Sequence, residues 1–201
     1  MNDRPIVIAI TGASGAPYAV GVLRALVAAE RPTQLIVSSH GYRLLDTEMG
    51  IGSLDALRSV VGATQFDRVV KVFDDGDRGA APASGSALNA GMVIVPCSMG
   101  TVSAIAAGSS RSLIERAADV MLKERRPLLL VPRETPLSAI HLENMLRVTN
   151  AGAIVMPAAP GFYHRPRAID DLVNFMVARI CDHLGVPHTL VARWGSEETG
   201  E

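Results

Sequence analysis

Short apolar runs rich in β-branched residues recur at residues 5–10, 34–37, 92–95, 128–131 and 153–156, each bounded by turn residues and followed by a loop and a helical pattern. This alternation predicts βαβ units. Such units require right-handed crossovers and a parallel sheet, so every strand points the same way and all share one carboxyl edge, where open sheets of this kind bind ligands. The expected architecture is an α/β, doubly wound, mainly parallel sheet with helices on both faces. Late in the chain, Thr135 is placed to cap a helix and Pro136 to open it, with Leu137, Ile140, Met145 and Leu146 at roughly helical spacing. Another helix is predicted over 169–184, with Asp170 and Asp171 in its first turn, Gly185 and Pro187 stopping it, and a buried stripe of Ile169, Leu172, Met176 and Ile180.

Composition narrows the class further. Hydrophobic residues make up 48% of the 201, charged residues 19% and aromatics 4%. That profile belongs to a sheet covered on both sides, and the length suits one domain over 1–201. A net charge of −1 leaves no global basic field for a nucleic-acid backbone or an anionic membrane, so no partner of either kind is expected. Cys97 and Cys181 are the only cysteines and form no C-x-x-C, which predicts buried thiols in a reducing compartment. No apolar run reaches the length of a membrane span and the start lacks a signal-peptide pattern, so the expected location is cytoplasmic.

Chemistry-bearing residues gather at the ends of the predicted strands. After the first comes Thr11-Gly12-Ala13-Ser14-Gly15-Ala16, which opens a helix with small residues. It is either a phosphate cradle built on free helix amides or a tight turn that uses glycine for geometry. It lacks both G-x-G-x-x-G and a Walker lysine. Ser38 follows the second strand, and Val95-Pro96-Cys97-Ser98-Met99-Gly100-Thr101 ends the third. Both serines are placed to cap helices while facing the crevice. Arg133-Glu134 after the fourth strand offers a cation and a carboxylate for anion binding and proton transfer, or a plain salt bridge. The fifth strand leads into Pro157-Ala158-Ala159-Pro160-Gly161-Phe162-Tyr163-His164, where Tyr163 can pack an apolar group and hydrogen-bond a phosphate. Arg179 flanks the stripe of the last helix. On the helix over 112–124, Arg116, Asp119 and Lys123 read as a solvated ion-paired face. Residues 74–89, rich in Gly, Ser and Pro, form a lid or a solvated excursion. No metal-ligand spacing occurs, and no metal is expected.

Five strands thus deliver hydroxyls, small residues or charges to one edge. Gly12-Ala13-Ser14-Gly15, Pro96-Cys97-Ser98-Met99-Gly100-Thr101, Leu113-Ile114-Glu115-Arg116-Ala117-Ala118-Asp119-Val120, Pro132-Arg133-Glu134-Thr135-Pro136-Leu137, His141-Leu142-Glu143-Asn144-Met145, Pro157 through Tyr163, and Arg193-Trp194-Gly195 together resemble the UbiX flavin prenyltransferases. The resemblance spans nearly the whole chain, and residues 50–77 depart from it most, with only a loop role carried over.

What the resemblance implies goes beyond spacing. The family fold is Rossmann-like or flavodoxin-like and assembles as a dodecamer. Its members join the dimethylallyl group of dimethylallyl monophosphate to N5 and C6 of reduced FMN, without metal, and the prenylated FMN serves UbiD-type decarboxylases. The family's FMN contacts fall on Gly12, Ala13, Ser14, Ser38, Ser98, Met99, Gly100, Thr101 and Arg133. Its prenyl-phosphate contacts fall on Tyr163 and Arg179, with Arg116, Lys123 and Glu134 as further members of the cluster and residues 84–86 nearby. That overturns the solvated reading of the Arg116–Lys123 face. Ser14, Glu48, Lys123 and Glu134 are the implied catalytic residues, with Glu48 or Glu134 relaying the flavin C6 proton. Two alternatives remain at this point: an FMN-dependent cysteine decarboxylase of the same broad fold, and a non-catalytic FMN carrier.

Overall fold

The computed structural model describes residues 4–192; Arg193-Trp194-Gly195 lies outside them. Along the chain run β1 (Ile6–Ile10), α1 (Ala16–Ala28), β2 (Thr33–Val37), α2 (Ser39–Met49), α3 (Leu54–Val61), α4 (Ala63–Val69), β3 (Val70–Phe73), β4 (Gly91–Cys97), α5 (Met99–Ala106), α6 (Leu113–Lys123), β5 (Leu128–Pro132), α7 (Ala139–Asn150), β6 (Ile154–Val155) and α8 (Ile169–Leu184). The strands form one six-stranded sheet in the order β3-β2-β1-β4-β5-β6, and every neighbouring pair is parallel.

All five residues of β1 are buried, as are those of β4 and β5, which is why their sequences read as continuous apolar runs without polar alternation. The pleat divides them between two cores. Ile6, Ile8 and Ile10 join Leu23 and Val20 of α1, Leu57 of α3, Phe66 of α4 and Met176, Val177 and Ile180 of α8. Val7 and Ala9 face the other way, toward Val102 of α5, Ala117, Ala118 and Met121 of α6 and Val148 of α7. Helices α1 and α8 therefore cover one face of the sheet, and α5, α6 and α7 the other.

Four expectations are corrected. Residues 50–77 are not a loop: α3 and α4 bury Leu57 and Phe66, and β3 adds an edge strand beside β2. That strand is four residues long and carries Lys71 above the Phe73 ring, the short charged form that edge strands take and that pattern reading misses. The helix expected from Pro136 begins instead at Ala139, because Ser138 supplies the cap: its hydroxyl accepts from His141 N at 3.2 Å while His141 Nδ1 accepts from Ser138 N at 3.3 Å. Ile169 leaves the α8 stripe, being 77% exposed in the first turn, while Met176 and Ile180 are buried as expected.

Residues 74–89 are neither free lid nor loose excursion. Ala80 and Ala83 are buried in the second core. Asp75 binds the start of α6, and beyond its other end Arg126 donates to the carbonyls of Gly85 and Ala87, both at 2.6 Å. The segment is pinned along α6 from one sheet edge to the other. Cys97 and Cys181 are buried free thiols, and burial pushes the Cys181 thiol up to about 12.

Candidate functional site

Chain order reverses between β1 and β4, since β2 and β3 follow on one side of β1 while β5 and β6 follow on the far side of β4. A doubly wound sheet opens a crevice at such a point, because the helices after the two central strands leave on opposite faces. Here Thr11 fastens the two strand ends together. Its hydroxyl donates to Pro96 O at 2.9 Å and accepts from Ser98 N at 2.9 Å.

Above this seam lies a cavity of about 360 Å³. Thr11 and Gly12 reach it from the β1 end, Ser38 and His40 from the β2 end, Ser98 and Thr101 from the β4 end, and Asp75, Ser112, Ile114 and Glu115 from the α6 side. The wall is rich in hydroxyls. Gly12 is demanded by the fit: a Cβ there would stand 2.5 Å from His40 Cβ, so the β1–α1 loop and the first turn of α2 can meet only at a glycine.

Four helices begin around the cavity, and their N-terminal amides meet different fates. On α1 the Glu48 carboxylate, from the far end of α2, accepts from Gly15 N at 3.0 Å and Ala16 N at 2.8 Å. Burial works against this carboxylate's charge. The Gly15 and Ala16 amides, the Ser14 hydroxyl and the Arg133 charge outweigh it, and hold the group below the usual carboxylate range. On α6, Asp75 takes Leu113 N through its carbonyl at 2.7 Å and Ile114 N through its carboxylate at 3.0 Å. By contrast, among the described residues α2 and α5 receive only their own serine caps: Ser38 Oγ accepts from Gly41 N at 3.0 Å and Ser98 Oγ from Thr101 N at 3.2 Å. Two helix starts already hold an internal anion, and two present their leading amides to the cavity. The Gly15-Ala16 part of the expected phosphate cradle is thus occupied by Glu48, which a sequence 33 residues apart does not reveal.

Of the FMN-binding candidates, Gly12, Ser38, Ser98 and Thr101 line the cavity. Ala13 is buried beside Gly12 in the same loop, and Ser14 turns to Glu48. Met99 buries its side chain in the second core, which leaves its amide, with that of Gly100, as the group at the start of α5. Arg133 follows β5 half-buried, and its Nε is buried with no hydrogen-bond partner among the described residues. An orphaned guanidinium N–H is costly unless a ligand acceptor meets it. These groups fit a flavin phosphate ester: hydroxyls and open amides for the ribityl and phosphate oxygens, and a guanidinium for a ring acceptor.

The prenyl-phosphate candidates are dispersed. Glu134 is exposed and, among the described residues, accepts only from Thr135 N, at 3.0 Å, without pairing with Arg133. Tyr163 is 63% exposed, its ring edge-on to Phe175 of α8 at 5.7 Å. Arg179 lies one turn farther along α8. Arg116 and Lys123 sit on α6, across the sheet from α8; Arg116 pairs with Asp119 at 2.8 Å. Lys123 is at the end of α6 opposite the cavity, paired with Glu124 under Gly85, whose added Cβ would stand 2.7 Å from Nζ. The structure thus brings Lys123 to residues 84–86 and Tyr163 to the α8 strip of Arg179, and it does not bring these two groups together. Sequence reasoning passed over His40, Asp75 and Ser112. Asp75 lies in the stretch read as loop, and only the fold turns His40 toward Gly12. Among the described residues no group of three or more His, Cys, Asp or Glu could hold a metal ion, and no helix is long and apolar enough to cross a membrane.

A family model described as Flavoprotein matches residues 1–181. The flavin prenyltransferase UbiX of Pseudomonas aeruginosa is 49% identical over 199 residues, covering 96% of this chain and 94% of that protein. Among solved structures, AnUbiX (PadA1) in complex with FMN and dimethylallyl pyrophosphate is similar with a TM-score of 0.89 and 41% identity, covering 98% of this chain and all of that one, at 100%. A dodecameric FMN-dependent UbiX-like decarboxylase from Escherichia coli O157:H7 is similar with a TM-score of 0.86 and 38% identity over 96% of this chain.

Proposed function

Because the chain belongs to the flavoprotein family, and within it to the UbiX flavin prenyltransferases, we propose that it transfers the dimethylallyl group of dimethylallyl monophosphate to reduced FMN. The observation that carries this reading is the cavity at the β1–β4 switch point, with open α2 and α5 amides and the orphaned Arg133 Nε, in a chain so similar to a relative holding FMN and a prenyl pyrophosphate.

The reaction breaks the allylic C–O bond and releases phosphate as flavin N5 exchanges its proton for the first prenyl carbon; the alkene then gains a proton at its central carbon and bonds flavin C6 through the branched one, and C6 gives up its own proton. The cavity holds the flavin by its phosphate and ribityl oxygens. Cations must neutralise the departing phosphate while water is excluded from the allylic carbon. Arg179 and Tyr163 supply part of that charge and shape. Glu48 is poorly suited to take the C6 proton, because a carboxylate already bound to two amides and a hydroxyl is stabilised as an anion and weakened as a base. Glu134, exposed and holding one amide, is the better acceptor.

Arg116 and Lys123 complete the phosphate cluster if a second copy of the chain supplies them. A homo-oligomer, dodecameric like the Escherichia coli relative, would cover the apolar side chains that α7 leaves exposed, Ile140, Leu142 and Leu146. Hand-over of prenylated FMN to a UbiD-type decarboxylase, and a cytoplasmic setting for the two unpaired thiols, belong to the same reading.

Anaerobic incubation with reduced FMN and dimethylallyl monophosphate, without added metal, followed by mass spectrometry of the extracted flavin, tests it. Prenylated FMN is expected. Unmodified FMN bound to the protein would overturn the transferase reading in favour of a carrier or a decarboxylase.

A further inference from the structure

Arg179 is not a free surface cation. Its Nη1 donates to Asp182 Oδ2 at 3.3 Å, one turn along α8, and the other oxygen of that carboxylate, Oδ1, stands 3.2 Å from His188 Nε2. The three side chains differ sharply in exposure: His188 is 4% exposed, Asp182 26% and Arg179 51%. The carboxylate therefore spans from a buried imidazole to a guanidinium in solvent. Because a carboxylate only accepts, the proton in the inner bond resides on Nε2 of His188.

The anchor beneath is firm. Gly185 ends α8 in the left-handed conformation, at φ 64°, with its amide on Asp182 O at 3.2 Å. Val186 is buried and donates to Cys181 O at 2.9 Å, and Leu190 packs against the first core. The turn after α8 thus folds back along the helix and brings His188 under Asp182. A long arginine ordinarily loses much side-chain entropy on meeting a ligand. Held at Nη1 by an anchored carboxylate, Arg179 has already given up that freedom, while its Nε and Nη2 donors keep the fork that grips a phosphate. Phe175, one turn before Arg179, carries the Tyr163 ring edge-on at 5.7 Å, so the hydroxyl and the fork share one strip of α8.

We propose that Asp182, anchored by His188, is a positioning residue that pre-orders Arg179 for the phosphate of the prenyl donor. The inference rests on the reading above, in which Arg179 binds that phosphate. Its signature is a rise in KM for the donor with little change in chemistry or flavin binding, because loss of Asp182 leaves the Arg179 charge in place and removes only its prior ordering, which the bound phosphate restores.

The test measures KM for dimethylallyl monophosphate, kcat and the Kd of FMN for Asp182→Asn, which keeps the shape, for His188→Gln, for Arg179→Ala and for the Arg179→Ala/Asp182→Asn double variant, with thermal unfolding of each. Expected is a KM about 10-fold higher in Asp182→Asn and a smaller rise in His188→Gln, with kcat and FMN Kd within about twofold of the parent. Asp182→Asn is expected to add nothing on the Arg179→Ala background. An unchanged KM in Asp182→Asn, an equal rise on both backgrounds, or an FMN Kd that moves with KM overturns the positioning role. If Arg179→Ala itself leaves KM unchanged, the assignment of Arg179 to the phosphate fails, and the inference with it.

Discussion

The two ends of the site differ in how they are built. The proposed flavin end is made by loops at one sheet edge, where short side chains and backbone amides are fixed by strand ends and serine caps within one chain. The proposed prenyl-phosphate end is made of long charged side chains half-exposed on helices, each holding a carboxylate of its own helix or helix end: Arg116 on Asp119, Lys123 on Glu124, Arg179 on Asp182. A group carried by a backbone turn has its position dictated by the fold. Arg116 and Lys123 have theirs dictated only when a partner or a ligand arrives, since exposed ion pairs of this kind are worth little in water, whereas Arg179 is held in advance through the anchored Asp182.

The contrast is broken most directly at Lys123. Lys123→Ala should cut turnover roughly 100-fold or more while FMN Kd stays unchanged, since loss of one cation at a developing charge costs about that much. Single-turnover flavin assays and equilibrium titration separate the two effects. Mixed assemblies of Lys123→Ala with Arg179→Ala subunits should regain activity if neighbouring copies share the site, and a mixture that stays dead would place the whole cluster in one subunit.

A smaller, opposite effect is expected at the flavin end. Gly12→Ala drives a Cβ to 2.5 Å from His40 Cβ, so loop or helix must shift. A loss of about 1–3 kcal/mol in stability is expected from such overpacking, and FMN affinity should fall with it. Thermal unfolding of the ligand-free protein, beside FMN titration, checks both. Retained FMN affinity would mean that the α2 start does not hold the flavin.

The smallest effect sharpens the reading of Glu48 as an internal anion. Its folded-state proton affinity is lowered, so the stability it contributes is present above the ordinary carboxylate range and is lost as pH falls through its depressed folded value. Glu48→Gln should therefore cost about 1 kcal/mol or less at neutral pH, discounted for the group's exposure, and the gap from the parent should close in acid. Denaturant melts at several pH values measure this, and a gap independent of pH would reduce Glu48 to a neutral cap.

Much of this was legible in the chain. Buried parallel strands announce themselves as apolar β-branched runs, Ser98 and Ser38 as caps, and α8 by its acidic first turn and Gly185. The expected FMN contacts Gly12, Ser38, Ser98 and Thr101 stand where strand ends must put them. Edge strand β3 escapes the pattern, because a four-residue strand with an exposed lysine carries no strong period. The start of α7 was misplaced because Pro136 and Ser138 both look like helix openings, and only the capping bonds decide between them.

By itself, then, the sequence determined five of the six strands, their common direction, their carboxyl edge and the residue types gathered there, since these follow from local periodicity and turn chemistry. The tertiary structure alone decided which helix starts stay open. Glu48 reaches Gly15 across 33 positions and Asp75 reaches Ile114 across 39, and no local pattern records a bond closed over that distance. The same holds for Asp182, which meets Arg179 on its own helix and His188 from the chain that turns back beneath it. Local rules fix where a side chain starts, and long-range packing fixes what it meets.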